Sequence, residues 1–147
     1  LGSGDPEVED RLDNMRHHFN GYYNSFIGYS EPLSHLIYAG SDFLLMPSRV
    51  EPCGLNQLYA LRYGTVPMVR NVGGLKDTVT DMGDYGGFGI RFDQASVNDI
   101  TYSVGRAIDL YNNKHELYHW MRSHMMEIDH SWEGSAQQYI DLYLSLK

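Results

Sequence analysis

Pro47-Ser-Arg-Val-Glu-Pro-Cys-Gly-Leu-Asn-Gln-Leu-Tyr59 is the stretch that decides the fold. It joins an apolar strand predicted at 42–46 to a helix predicted over 53–63. A strand that is apolar at successive positions is one covered on both faces, as in a parallel sheet flanked by helices. The strand-to-helix junction then opens at the carboxyl edge of the sheet, where open α/β sheets bind ligands. It brings Glu51 to that edge, together with the unpaired N–H groups of a helix N-terminus, which favour an anion. A carboxylate beside a phosphate cradle suits chemistry on a phosphorylated sugar.

Outward from this junction, helices and strands alternate. Residues 7–19 read as a helix with Val8, Leu12, Met15 and Phe19 as a rough apolar stripe, 25–29 as a short strand, and 31–38 as a helix stopped by Ala39-Gly40. Beyond the junction, Gly64 closes the helix. A strand follows at 66–69, then a turn and short helix at 73–81, a glycine-rich loop at 82–89 and a short strand at 89–92. The last third is helical, at 96–111, at 114–128, and from Ser131, a good N-cap residue, onward. This order implies an α/β class with a Rossmann-like, doubly wound parallel sheet, one half of a larger enzyme.

Bulk properties exclude several functions. The 147 residues are one domain's worth of chain. A net charge of −8 with scattered lysines and arginines argues against nucleic acid and against a polybasic membrane patch. No apolar run approaches the roughly 20 residues of a membrane span, and no signal-peptide pattern is present. The single cysteine, Cys53, excludes an internal disulfide framework and fits a reducing compartment. Leu1 is not a natural start, so a fragment of a longer protein is expected.

Among the 7 histidines, His115 and His119 share a helical face, but no HExxH pattern or cysteine cluster accompanies them. They read as surface histidines, and no metal is expected. Neither GxGxxG nor GxxxxGK[ST] spacing is present, and Ser48 and Ser131 lack nucleophile-elbow flanks.

The run from Ser48 to Pro67, followed by Gly73-Gly-Leu-Lys-Asp-Thr-Val79, resembles the C-terminal domain of bacterial glycogen synthases and plant starch synthases. The likeness extends from Gly2-Ser-Gly-Asp-Pro6 to Ser131-Trp132 and 139–143. It implies the GT-B arrangement, two Rossmann-like domains facing across a cleft. The reaction implied is transfer of glucose, with retention, from ADP-glucose or UDP-glucose to the non-reducing end of an α-1,4-glucan, without metal or cofactor. Residues 1–147 would form part of the second, nucleotide-sugar-binding domain, lacking its first strand and helix, with C-terminal helices at about 114–147. The resemblance also implies a missing N-terminal GT-B domain as partner, against which Trp132, Tyr139 and Tyr143 would dock. Loss of the first strand would expose a sheet edge between 25–29 and 42–46, open to self-association. Such a fragment is expected to be inactive alone. A bacterial cytoplasm and a plastid both fit.

The resemblance assigns roles residue by residue. Glu51 would lie beside the donor sugar, stabilising positive charge or orienting the donor, with a covalent or a front-face mechanism both open. On local position alone, a helix-capping acid is the plainer role. Gly54, Leu55 and Asn56 would turn backbone N–H groups to the donor's phosphates and sugar, though Gly54 is equally explained by close packing. Cys53 would touch the donor sugar or else be a buried, inert thiol.

Tyr29 matches a tyrosine that stacks on the nucleotide base, although most of the 12 tyrosines belong to core or surface. Gly73 and Gly74 would aim N–H groups at a phosphate, with Thr78 bonding a phosphate oxygen or capping a helix. Arg49 and Arg70 lie near strand ends, where anions bind. Many related transferases carry a second glutamate where this chain has Tyr59, so its ribose contact has no counterpart here. The alternatives are a non-catalytic nucleotide-sugar or glucan-binding module, or another retaining transferase of the sucrose or trehalose type.

Overall fold

A computed structural model describes residues 1–146 and divides the chain into two units, Leu1–Ile37 and the remainder from Tyr38. In the first unit, α1 (Pro6–His18) begins with proline at its first position, where a missing N–H costs nothing. Asp5 caps it, its carboxylate accepting from the N–H groups of Glu7 (2.9 Å) and Val8 (3.3 Å). The apolar stripe of α1 is half-exposed, and the helix buries no residue fully.

The strand expected at 25–29 does not form. Gly2 and Ile27 make a single parallel bridge, in which Gly28 N–H donates to the Gly2 carbonyl (2.9 Å) and Gly2 N–H to that of Phe26 (3.2 Å). Gly28, at φ +139°, leaves the extended region, so the pairing goes no further.

α2 (Glu31–Gly40) leads into the second unit. There β1 (Phe43–Met46), β2 (Val66–Arg70) and β3 (Ile90–Phe92) form a parallel sheet in the order β1-β2-β3, with Phe43 opposite Val66 and Met68 opposite Ile90. Val66–Val69 of the central strand are buried throughout, which bears out the parallel α/β reading.

Between the strands lie α3 (Asn56–Tyr63) and α4 (Gly73–Thr78), and after them α5 (Val97–Asn113), α6 (His115–Glu127) and α7 (Trp132–Ser145). Leu61, Leu75, Leu110, Met121 and Met125 from these helices meet Met46 and Val69 in the main core. Met68 and Ile90 pack with Ala107 of α5 in a second cluster. Gly64, at φ +71°, ends α3, and its N–H and that of Thr65 close the last turn. Fully buried Thr65 sets its hydroxyl between the carbonyls of Tyr38 and Ser41, tying the first residues of the second unit to the start of β2.

Two polar links brace the sheet. The Tyr118 hydroxyl donates to Asp42 (2.8 Å); burial first, then that bond, pushes the phenol up to about 12. Asp81 is gripped on both oxygens by Arg106 (2.6 and 2.9 Å) and accepts the N–H groups of Arg91 (2.6 Å) and Gly83 (2.9 Å). Burial alone would raise the Asp81 carboxyl, but these bonds outweigh it and hold the carboxyl below its ordinary range.

Such a group contributes stability that is present above the unfolded value, about 3.9, and lost as pH falls through the folded one. Unfolding followed between pH 5 and pH 2 therefore loses less stability in Asp81→Asn than in the natural chain. Equal acid slopes for the two proteins would rule Asp81 out as a source of that dependence.

Ser131 stands at the N-cap of α7, as expected, yet its side chain makes no capping bond; its N–H donates to Asp129 instead (2.8 Å). α7 buries none of its described residues, and Trp132 is 83% exposed. No described helix is long and apolar enough to cross a membrane.

Candidate active site

β1 ends at Met46, and the chain then runs irregularly to Leu55, the residue that precedes α3. The helix expected from residue 53 starts only at Asn56, because Gly54 takes φ +74°, outside helical space. Glu51 consequently lies in the loop, not in the first turn of α3, and no side chain caps that helix. This removes the capping role for Glu51. Its half-buried carboxylate accepts a hydrogen bond from the Ser48 hydroxyl (3.1 Å).

The loop is held from beneath by its own carbonyls. Arg70, at the end of β2, donates to the carbonyls of Ser48 (3.4 Å) and Arg49 (2.7 Å), and through Nε to that of Asp93 (2.9 Å). Arg70 thereby clamps the loop through Nη1. Gly74 N–H donates to the Glu51 carbonyl (3.1 Å). Gln57 Nε2 reaches the carbonyls of Cys53 and Gly54, both at 3.0 Å, and Thr78 Oγ1 at 3.2 Å. The Thr78 hydroxyl in turn donates to the Gly74 carbonyl. With its proton turned inward, Thr78 acts in this geometry as scaffold, and it sits at the end of α4, so it is no N-cap.

The tandem glycines have a steric task. A Cβ on Gly73 would lie 2.0 Å from the Glu51 carbonyl oxygen, and one on Gly74 2.0 Å from that of Cys53. Only glycine lets α4 approach the loop so closely. Gly54 is similarly constrained: a Cβ there would meet Gln57 Oε1 at 2.5 Å.

Above this scaffold the N–H groups of Gly54, Leu55 and Asn56 donate to no protein group among the described residues. Cys53 is exposed, its thiol 3.6 Å from the Gly54 carbonyl, which removes the buried-thiol alternative. Eight of the nine residues singled out from sequence, all except Tyr29, therefore belong to the second unit, on the loop, α3 or α4. Tyr29 belongs to the first unit, with its ring 81% exposed. Tyr59 tilts against Tyr38, ring centres 6.0 Å apart. Among the described residues no three His, Cys, Asp or Glu side chains gather to hold a metal ion; His124 stacks on Trp120.

Sequence reasoning missed Gln57. A signal was there: Gln57, Ala60, Leu61 and Gly64 recur at the spacing of one buried helical face, and a polar residue on such a face needs partners.

No protein-family model matches the chain. The glycogen synthase of Flavobacterium johnsoniae is 59% identical over 143 residues, which are 97% of this chain and 30% of that protein. This chain is a homologue of the glycogen and starch synthases. Soluble starch synthase 2-2 of Oryza sativa is 42% identical over 149 residues, covering all of this synthase homologue and 22% of the rice protein.

Among solved structures, the catalytic domain of starch synthase IV from Arabidopsis thaliana, bound to ADP and acarbose, matches 98% of the chain at 35% identity with a TM-score of 0.88. Sucrose-phosphate synthase from Thermosynechococcus elongatus, at 21% identity and a TM-score of 0.67, shares the fold. The synthase homologue spans 30% of the Flavobacterium relative, 22% of the rice relative and 31% of the starch synthase IV chain. Its relatives' names denote glycosyltransferases, and the fold is part of a GT-B catalytic domain.

Proposed function

We propose that this chain forms the nucleotide-facing wall, within the second GT-B domain, of a retaining glucosyltransferase. That enzyme would extend an α-1,4-glucan from ADP-glucose or UDP-glucose. The observation that carries the reading is the loop itself. One carboxylate, Glu51, and the unpaired N–H groups of Gly54, Leu55 and Asn56 ride on a single clamped segment at the carboxyl end of a parallel sheet.

The N–H groups receive the oxygens of the nucleotide's phosphates and of the sugar, neutralising charge as the bond to the anomeric carbon breaks. Glu51 stabilises the positive charge that develops on that carbon. Cys53 lines the sugar, and Gly73 and Gly74 bring the start of α4 under the phosphates. ADP and acarbose in the starch synthase IV relative, a nucleoside diphosphate and an oligosaccharide, support the same two ligand classes here.

The acceptor side belongs to an N-terminal domain, on which α7 docks through Trp132, Tyr139 and Tyr143, all exposed here. Without it the chain does not turn over. β1 ends the sheet on one side, and its outer edge offers a surface for self-association. A bacterial cytoplasm or a plastid would house such an enzyme; the rice relative's name, chloroplastic/amyloplastic, supports the second.

Saturation-transfer NMR on the full-length enzyme with ADP, ADP-glucose and UDP-glucose tests the reading. Transfer to the base and glucose protons of at least one of the sugar nucleotides is expected, and it should be displaced by ADP. A spectrum with no transfer from any of the three would sink it.

A further inference from the structure

We propose that Gln57 is a positioning residue that orients the two peptide N–H groups receiving the diphosphate, an inference that rests on the function proposed above. The carbonyl of Cys53 and the N–H of Gly54 belong to one peptide group, and the carbonyl of Gly54 and the N–H of Leu55 to the next. Both peptides are trans, so in each the carbonyl and the N–H point in opposite directions. Gln57 Nε2 holds both carbonyls from below at 3.0 Å. The two N–H groups must therefore face away from it, toward a side on which they meet no protein acceptor among the described residues. A donor on a carbonyl also polarises the N–H of the same peptide, strengthening it for an anion.

The amide has no freedom to do otherwise. Gln57 is fully buried, and its nitrogen faces three oxygens, those of Cys53, Gly54 and Thr78. A flipped amide would set oxygen against those carbonyls. Among the described residues its Oε1 finds no hydrogen-bond partner, and it lies where a Gly54 side chain would begin. Buried polar atoms are almost always satisfied, so an orphaned acceptor needs a reason. Here the reason is that the two N–H bonds of the amide are shared among the Cys53 and Gly54 carbonyls and Thr78 Oγ1, leaving the oxygen against a bare glycine. Thr78 completes the device by accepting from Nε2 and donating to Gly74, whose N–H holds the Glu51 carbonyl. One ring of hydrogen bonds thus sets both the carboxylate and the N–H pair.

The test uses the full-length enzyme and calorimetric binding of ADP, UDP and their nucleosides. Gln57→Met keeps the length of the side chain and removes the donor. We expect affinity for the preferred diphosphate to fall about tenfold while affinity for the matching nucleoside is unchanged. Thr78→Val, which frees one end of Gln57 without altering α3, is expected to give a smaller loss of the same kind, and it carries the test if Gln57→Met does not fold.

Equal losses for nucleoside and diphosphate would reduce Gln57 to a structural residue and overturn the proposal. Diphosphate binding as tight in both variants as in the natural enzyme would overturn it too, leaving the proposed function intact. A natural enzyme that binds neither diphosphate would instead remove the functional reading, and this proposal with it.

Discussion

Glu51→Gln in the full-length enzyme is expected to lower glucosyl transfer by at least about 10²–10³-fold, the scale on which a single preorganised electrostatic group acts. The substitution is close to isosteric, and the amide oxygen can still accept from Ser48 Oγ. None of the bonds that seat the loop uses the Glu51 side chain. Its melting temperature and its affinity for ADP should therefore match the natural enzyme, and the loss should fall on kcat rather than on binding. Incorporation of labelled glucose into glycogen, measured beside thermal unfolding, separates the two. A variant with activity within tenfold of the natural enzyme would show that the charge at position 51 is not what drives the transfer.

Gly74→Ala should have the largest effect on the fold. Its new Cβ would sit 2.0 Å from the Cys53 carbonyl oxygen and 2.5 Å from two further backbone atoms of Cys53, so the backbone itself must move. Overpacking of this kind costs about 1–3 kcal/mol or more, several degrees in melting temperature for a domain of this size. The displaced segment carries Glu51, so activity should vanish even at temperatures where the protein is folded. Gly105→Ala is the control. Gly105 lies within α5 with nothing within 4 Å of a built Cβ, and replacing it should stabilise the helix by about 0.4–1 kcal/mol. If Gly74→Ala melted with the natural protein, the seating of the loop on α4 described above would be wrong.

Patterns with strong local causes were legible in the sequence. The apolar runs of β1 and β2, Gly64 as a helix stop, and the helix of α5 all follow from periodicity and cap chemistry. The glycine pair at 73–74 was readable as a special turn, though its purpose, contact with carbonyls more than 20 positions earlier, was not.

What failed did so for nonlocal or conformational reasons. The 25–29 segment has the composition of a strand but, among the described residues, its one strand-like bridge is to Gly2, so no ladder follows. The start of α3 depends on the left-handed backbone of Gly54, which composition leaves open. The scaffold contacts of Thr78 and Arg70 went unread for a similar reason. Arg70 meets carbonyls more than 20 positions earlier, and Thr78, besides its back-bond to Gly74 one turn away, accepts from Gln57 on another helix.

Every anchor of the Glu51 loop ends on a main-chain oxygen, those of Ser48, Arg49, Glu51, Cys53 and Gly54. Main-chain oxygens are common to all residues, so the anchors are indifferent to which side chains the loop displays. Val50, 78% exposed, and Leu55, 55% exposed, can change in a lineage without disturbing the seat of the carboxylate. Divergence in what the loop greets is thereby uncoupled from preservation of where its acid stands.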